Sequence, residues 1–337
     1  MRTRRLGASG LRVSDLCLGT MTFGERTDEA EAGRIVASAR DAGVNFVDTA
    51  DVYASGESER MLGRLIRSER ARWILATKVG NVRVPPPDDA DLSRRHVLGA
   101  IDASLARLQT DHVDIYYLHL DDAGTPLEET VATMGDLVRA GKIRYWGVSN
   151  FRGWRIAEAA MLAHRIGVPP PVVCQPYYNA VNRMPEVEVL PACEHFGLGV
   201  VPYSPLARGV LTGKYRPGEP PPAETRAGRG DKRMMQTEFR AESLAIAQKI
   251  QAHAERRGMT AGQFALNWVL NCGTVSSVLA GPRTLEQWQG GYLGALEHAF
   301  GAEDEALVDR LVAPGHPSTP GYSDPRYPPA GRRPIVA

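Results

Sequence analysis

Eight short apolar runs, each separated from the next by a stretch of helical periodicity, recur along almost the whole of this 337-residue chain. They span 15–20, 45–49, 73–78, 113–119, 143–149, 172–175, 199–204 and 277–281, and Val, Ile, Leu and aromatic residues dominate them. Strands that alternate with helices stack in parallel, so the rhythm calls for βα units and a parallel sheet. Eight units are the number that closes a TIM barrel, and such barrels routinely exceed ~250 residues as one domain. The expected fold is therefore α/β: a single (β/α)8 TIM barrel over residues 1–337. A doubly wound dinucleotide-binding sheet would want Gly-x-Gly-x-x-Gly after an early strand, and none is present. Gly209-Val-Leu-Thr-Gly-Lys214 is one residue short of a phosphate-binding P-loop, with Tyr215 where Ser or Thr belongs.

The intervening segments carry helix punctuation. Asp28 and Glu31 have capping-box spacing ahead of the apolar stripe Ala32, Ile35, Val36 and Ala39, with Gly43 placed to end the helix. Thr125-Pro-Leu-Glu128 repeats the device, with Pro126 at the first helical position and Gly141 as the stop. Val97, Ile101, Leu105 and Leu108 form a third apolar face. About seventy residues separate Ser204 from the last strand, more than one βα unit needs. The excess reads as a Pro/Gly/Arg-rich loop over 213–240 and two extra helices over 241–257 and 260–271. Ahead of the first strand, residues 4–13 read as an N-terminal β-hairpin that plugs the bottom of the barrel. Residues 313–337 read as a tail with no core of its own.

Composition excludes several classes of function. Hydrophobic residues make up 43% of the chain, and the long uncharged stretch 258–282 is interrupted by Gly, Thr, Gln, Asn and Ser, so a membrane span is not expected. A net charge of +1 supplies no field for nucleic acid or an anionic membrane. The basic start, Met1-Arg-Thr-Arg-Arg5, is followed by Gly-rich polar sequence rather than the apolar core of a secretory signal. The four cysteines, Cys17, Cys174, Cys193 and Cys272, form no CxxC pair and fit reduced thiols better than a disulfide or zinc framework. A cytoplasmic location is expected.

In such barrels the active site lies at the C-terminal ends of the strands. The second strand ends in Asp48 with Tyr53 just beyond, the third in Lys78 and the fourth in His119. An Asp in an apolar run needs a partner, and Lys78 on the next strand is the natural one. Together the four groups suit reduction of a carbonyl to an alcohol, which needs hydride on carbon and a proton on oxygen. A phenol of pKa ~10 exchanges protons poorly near neutrality, and a neighbouring ammonium is expected to lower that value. Tyr53 is then the proton donor, Asp48 fixes Lys78, and His119 orients the carbonyl oxygen.

These motifs resemble the aldo-keto reductases over roughly Leu6 to Leu311. The resemblance rests on Leu18-Gly-Thr-Met-Thr-Phe-Gly24, Phe46-Val-Asp-Thr-Ala-Asp-Val-Tyr53, Ala76-Thr-Lys78, Asp114-Ile-Tyr-Tyr-Leu-His119, Gly147-Val-Ser-Asn150 and Tyr203-Ser-Pro-Leu-Ala207. The branch it looks most like contains bacterial oxidoreductases and the β subunits of potassium channels. It implies the catalytic tetrad Asp48, Tyr53, Lys78 and His119, and NADPH/NADP+ as cofactor. By the same resemblance Thr20 and Met21 border the cofactor, Ser149, Asn150 and Gln175 hold the carboxamide, and Tyr203 stacks on the nicotinamide. Ser204, Leu206 and Lys214 would touch the pyrophosphate, with Arg226 closing over it. The segment Gly281-Pro-Arg-Thr-Leu-Glu-Gln287 would hold the 2′-phosphate and adenine. Arg283 is its phosphate candidate, at a helix start whose free N–H groups favour an anion. Gly290-Gly291 stands where the family often has Glu-Asn beside the adenine. Substrate walls are expected from Met21, Phe23, the 213–240 loop and the tail over the active-site face, and the short 120–125 loop implies an open pocket. A small-molecule carbonyl, sugar-derived or from secondary metabolism, is the expected substrate, with a homo-oligomer among the expected assemblies. Two alternatives stay open: a regulatory NADPH-binding subunit that turns over slowly, and an aldolase forming a Schiff base on Lys78.

Overall fold

The computed structural model describes residues 1–81 and 91–328. Two short antiparallel strands come first, β1 (Thr3–Arg5) and β2 (Arg12–Ser14). Eight parallel strands follow: β3 (Leu16–Gly19), β4 (Phe46–Asp48), β5 (Ile74–Val79), β6 (Val113–Leu118), β7 (Ile143–Ser149), β8 (Val173–Gln175), β9 (Gly199–Val200) and β10 (Val278–Ala280). They pair in sequence order, with β10 beside β3. The seam between β9 and β10 is closed by backbone bonds, Ser276 N–H to the Val200 carbonyl at 2.8 Å and Leu279 N–H to the Pro202 carbonyl at 3.1 Å. The sheet thus curls into the expected α/β barrel.

Between strands run α1 (Glu29–Asp41), α2 (Glu57–Ile66), α3 (Arg94–Leu108), α4 (Leu127–Arg139), α5 (Gly153–Arg165) and α6 (Val189–Phe196). The long β9–β10 connection holds α7 (Lys232–Thr237), α8 (Ala241–Arg256) and α9 (Ala261–Leu270), and α10 (Ala302–Leu311) follows the barrel. The two extra helices are where helical periodicity puts them. α7 falls inside the stretch expected to be loop. It has only six residues, started by Asp231 capping the Met234 N–H, too short for a periodic signal. Among the described residues no helix is long and apolar enough to cross a membrane.

Strand parity makes the site. Side chains alternate between the two faces of a strand, and Cys17, Phe46, Ala76, Ile115, Val173 and Val201 pack together inside the barrel with Tyr117. Two residues further along, the same parity carries Asp48, Lys78, His119, Gln175 and, from β7, Ser149 to the rim. Gly147 is required where Tyr117 fills this interior, because a Cβ there would come within 2.4 Å of Val173 Cγ1. The outward parity meets the helices in a second cluster that includes Leu16, Val47 and Leu75 from the strands, and Ala32, Ile35, Val97, Ile101 and Leu105 from α1 and α3.

The hairpin does plug the base: Leu6 and Val13 are fully buried among the inward residues. Arg4 ties it to the closing seam, donating to the carbonyls of Val275 and Leu270, both at 2.9 Å, while its Nε pairs with Asp15.

Three local expectations need correction. Asp28 caps the Glu31 N–H, but the Glu31 carboxylate does not return the bond; it accepts from the Leu285 N–H at 2.6 Å. Pro126 stands before α4 as its cap, and Thr125 turns its hydroxyl to Asp122. The run 199–204 is regular strand only at Gly199–Val200; beyond it Val201 and Tyr203 still donate to the carbonyls of Cys174 and Pro176, both at 2.9 Å, until Ser204 turns away at φ +55°. The tail is described as far as residue 328, so the expectation for 329–337 falls outside the described residues. Its contacts run to Arg183, Arg240 and Arg233, then to Arg152 and Asn81.

Candidate active site

Lys78 is the hub. Its ammonium, fully buried, donates to Asp48 Oδ1, to the Thr49 carbonyl at 2.7 Å and to Tyr53 Oη at 3.3 Å. The other Asp48 oxygen accepts from Gln175 Nε2 at 3.0 Å, so the buried carboxylate is bonded on both sides. Burial opposes the charge on Lys78, but Asp48 and Tyr53 more than offset it, and its pKa is raised. Burial also lifts the Tyr53 phenol above its usual value, and the pull of Lys78 only partly counters this. Lys78 acts in the expected, lowering direction, but desolvation outweighs it, so the net shift is upward and Tyr53 stays a protonated acid at neutral pH.

Backbone geometry aims the phenol inward. Immediately after Tyr53 the chain takes three left-handed residues, Ala54 (φ 47°), Ser55 (φ 55°) and Gly56 (φ 88°), before α2 begins. Two of the three carry a Cβ, a costly arrangement of the kind that gathers at functional sites. The His119 ring stands edge-on to Tyr53 with centroids 6.0 Å apart. Burial and the charges of Lys78 and Arg326 hold its pKa well below the usual value, so the imidazole is neutral. Its Nε2 meets Asn81 Nδ2 at 3.2 Å, and its buried Nδ1 has no partner.

Asp51, two residues before Tyr53, carries no role in the sequence reading. Burial and the nearby Glu59 carboxylate push it up to about 7, and its Oδ1 is buried without a hydrogen bond. Glu59 itself is fully buried, accepting from Thr77 and from Arg107 Nε, both at 2.6 Å.

A polar arc continues from this group. Asn150, at φ 60°, donates to the His119 carbonyl at 2.8 Å and to Ser149 Oγ at 2.9 Å, and accepts from Tyr203 Oη at 2.8 Å. Ser149 donates to the Gln175 carbonyl at 2.9 Å. The structure thus brings Ser149, Asn150, Gln175 and Tyr203 into one network with Asp48 and His119. Beyond Tyr203 the backbone is left-handed at Ser204, Ala207, Arg208 and Gly209, a tight turn in which the Ala207 and Gly209 N–H groups donate to the carbonyls of Ser204 and Leu206 at 2.9 and 2.8 Å. Lys214 leans over it, with Nζ 3.0 Å from where a Cβ on Gly209 would stand. Leu206 lies within the same turn.

The remaining candidates are placed less simply. Thr20 is fully buried: its hydroxyl bonds the Asp48 carbonyl and Ser58, its N–H donates to the Asp48 carbonyl at 2.9 Å, and its carbonyl accepts from Ser58 Oγ at 2.8 Å and the Phe23 N–H at 2.9 Å. Met21 is 38% exposed, but Phe23 is wholly buried in the outer core and offers no wall to a substrate. The helix start at Arg283 has no free N–H array: Gln287 Oε1 takes the Arg283 N–H, Glu31 takes that of Leu285, and the Thr284 hydroxyl takes that of Gln287. An anion there has to be held by side chains. Arg283 has company: its charge, with those of Arg226 and Arg229, bears on Arg26. Arg26 is absent from the sequence reading, although its place in the loop after β3 marks it as a rim residue. Gly281, Gly290 and Gly291 each have open space where a side chain would stand, the last two within a π-helical turn at Gln287–Leu293. Among the described residues no group of three His, Cys, Asp or Glu could hold a metal ion. The two clefts of about 650 Å3 beside Arg4 and about 620 Å3 beside Tyr145 lie elsewhere.

Comparison with known proteins agrees with this geometry. Residues 15–313 match the model of the aldo/keto reductase family. A probable voltage-gated potassium channel subunit beta of Arabidopsis thaliana is 39% identical over 296 residues, covering 86% of this chain and 89% of that protein. The uncharacterized oxidoreductase YrpG of Bacillus subtilis is 37% identical over 293 residues, covering 84% and 87%.

Proposed function

The chain belongs to the aldo/keto reductase family, and on that premise we propose that it is an NADPH-dependent reductase of an aldehyde or ketone in which Tyr53 delivers the proton. The observation that carries the reading is the single bonded group formed by Asp48, Lys78 and Tyr53 beneath a neutral His119.

The residues fit the cofactor. The left-handed turn at 204–209 with Lys214 suits a pyrophosphate, the Ser149–Asn150–Gln175 arc suits a carboxamide, and the arginines near Arg283 suit a 2′-phosphate. When bound, the nicotinamide would supply hydride to the carbonyl carbon. The protein supplies the rest. Tyr53, protonated at rest, gives its proton to the carbonyl oxygen as negative charge develops there. The phenolate left behind is stabilised by Lys78 at 3.3 Å, whose ammonium Asp48 and the Thr49 carbonyl hold in place. A neutral imidazole at His119 can hydrogen-bond the same oxygen without competing as an acid. A panel of aldehydes and ketones, followed by the absorbance of NADPH, tests the reading; no consumption with any carbonyl would overturn it.

The channel-subunit relatives raise the second reading, a regulatory subunit with slow turnover. The complete acid group, His119 included, favours catalysis. Comparing one turnover of bound NADPH with repeated turnover separates the two. A Schiff base on Lys78 is disfavoured, because the amine is buried, triply bonded and held as an ammonium, which has no lone pair to attack with.

A further inference from the structure

One cation at the mouth of the site is unused by this mechanism. Arg326, in the tail, is exposed, and its Nη2 donates to Asn81 Oδ1 at 2.8 Å. The same amide turns its Nδ2 to His119 Nε2 at 3.2 Å. One primary amide therefore spans the gap between the imidazole that meets the substrate oxygen and a guanidinium. The nearest carboxylate on Arg326's own segment, Asp324, is committed elsewhere: both of its oxygens pair with Arg233. Among the described residues no carboxylate lies within ion-pair distance of Arg326.

The hydrogen-bond directions matter as much as the charge. Because Arg326 donates to Oδ1, the Asn81 amide must present its N–H to His119, and Nε2 is then an acceptor. In that state the ring proton sits on Nδ1, and Nε2 cannot donate to a carbonyl oxygen. Drawing Arg326 away from Asn81 frees the amide to turn or leave, and with the ring proton shifted from Nδ1 to Nε2 through solvent, Nε2 becomes available as a donor.

We infer that Arg326 selects carbonyl substrates that carry an anionic oxyacid group a few bonds from the carbonyl, trading its contact with Asn81 for the substrate's anion and so releasing His119. This rests on the carbonyl-reductase reading above. A planar fork suits carboxylate and phosphate alike, and both are within the proposal. The span of a single amide argues for a short substrate, such as an oxo acid or an aldose phosphate.

The test compares matched pairs with NADPH: 4-oxobutanoate against its methyl ester, and glyceraldehyde 3-phosphate against glyceraldehyde. The expected result is a kcat/KM at least tenfold higher for the anionic member of one pair or both, the pair identifying the anion. Arg326→Gln should collapse that ratio by tenfold or more, mainly through KM, Arg326→Lys should restore part of it, and raised salt should erode it in the wild type. Equal kcat/KM within both pairs, or a ratio that Arg326→Gln leaves unchanged, overturns the inference while the reductase reading stands. No turnover with any carbonyl overturns the reductase reading, and the inference falls with it.

Discussion

Tyr53 and Lys78 illustrate how burial and charge compete on a single proton. The strand ends made both residues legible in the sequence, but the sign of the tyrosine's shift was not, because the amount of water removed from the phenol is a property of the closed barrel. In alcohol oxidation Tyr53 must act as phenolate, so its rate should climb as pH rises. Lys78→Met removes the group that lowers the phenol, and the climb should move to higher pH, with the loss larger at pH 7 than at pH 10; a uniform loss across pH would make Lys78 only a support for Asp48. Asp51 gives a second residue-scale prediction. Its pKa, raised to about 7, means that the folded state holds a proton the unfolded chain has already lost, so its contribution to stability falls as pH rises from about 4 through about 7. Asp51→Asn should therefore raise the melting temperature more at pH 8 than at pH 5. A difference equal at both pH values, or reversed, would show that the carboxylate is not held neutral.

At the scale of elements, periodicity located seven of the eight barrel strands to within a residue or two, and α8 and α9 as well. The departures have local causes: Pro202 interrupts regular pairing after Val200, the left-handed Ser204 ends it beyond Tyr203, and α7 is a short capped helix. The left-handed turn at 204–209 falls on a motif the sequence displays, so its place was legible. The helix start at Arg283 was not, because Glu31 of α1 reaches the Leu285 N–H across 254 residues and occupies it. Under the proposed function, side chains then hold the 2′-phosphate. Arg283→Ala should weaken NADPH by roughly 1.5–3 kcal/mol and NADH far less, the scale of charge-assisted hydrogen bonds. Fluorescence titration with both cofactors checks it; equal weakening of both would move Arg283 to the pyrophosphate.

For the whole molecule, one rule connects core and site: the inward parity that packs Phe46, Ala76 and Ile115 is the parity that lifts Asp48, Lys78 and His119 to the rim. The hairpin beneath completes that interior, and Leu6→Ala, at a fully buried position, should cost about 2–4 kcal/mol in denaturant unfolding. A cost under about 1 kcal/mol would mean that the hairpin covers the barrel without packing into it. What the sequence could not show at this scale is the return of the tail to Asn81, because 245 residues of chain separate the partners and neither carries a motif.

The central claim is that Tyr53 gives the proton to a carbonyl while the rest of the site binds and orients. Single-turnover consumption of enzyme-bound NADPH by an accepted aldehyde, compared between wild type and Tyr53→Phe, tests it most directly. The account predicts a rate ~10²–10⁴-fold lower in the variant, the usual worth of a general acid, with NADPH affinity changed by no more than about twofold. A Tyr53→Phe protein that keeps more than about a tenth of the wild-type rate would contradict it.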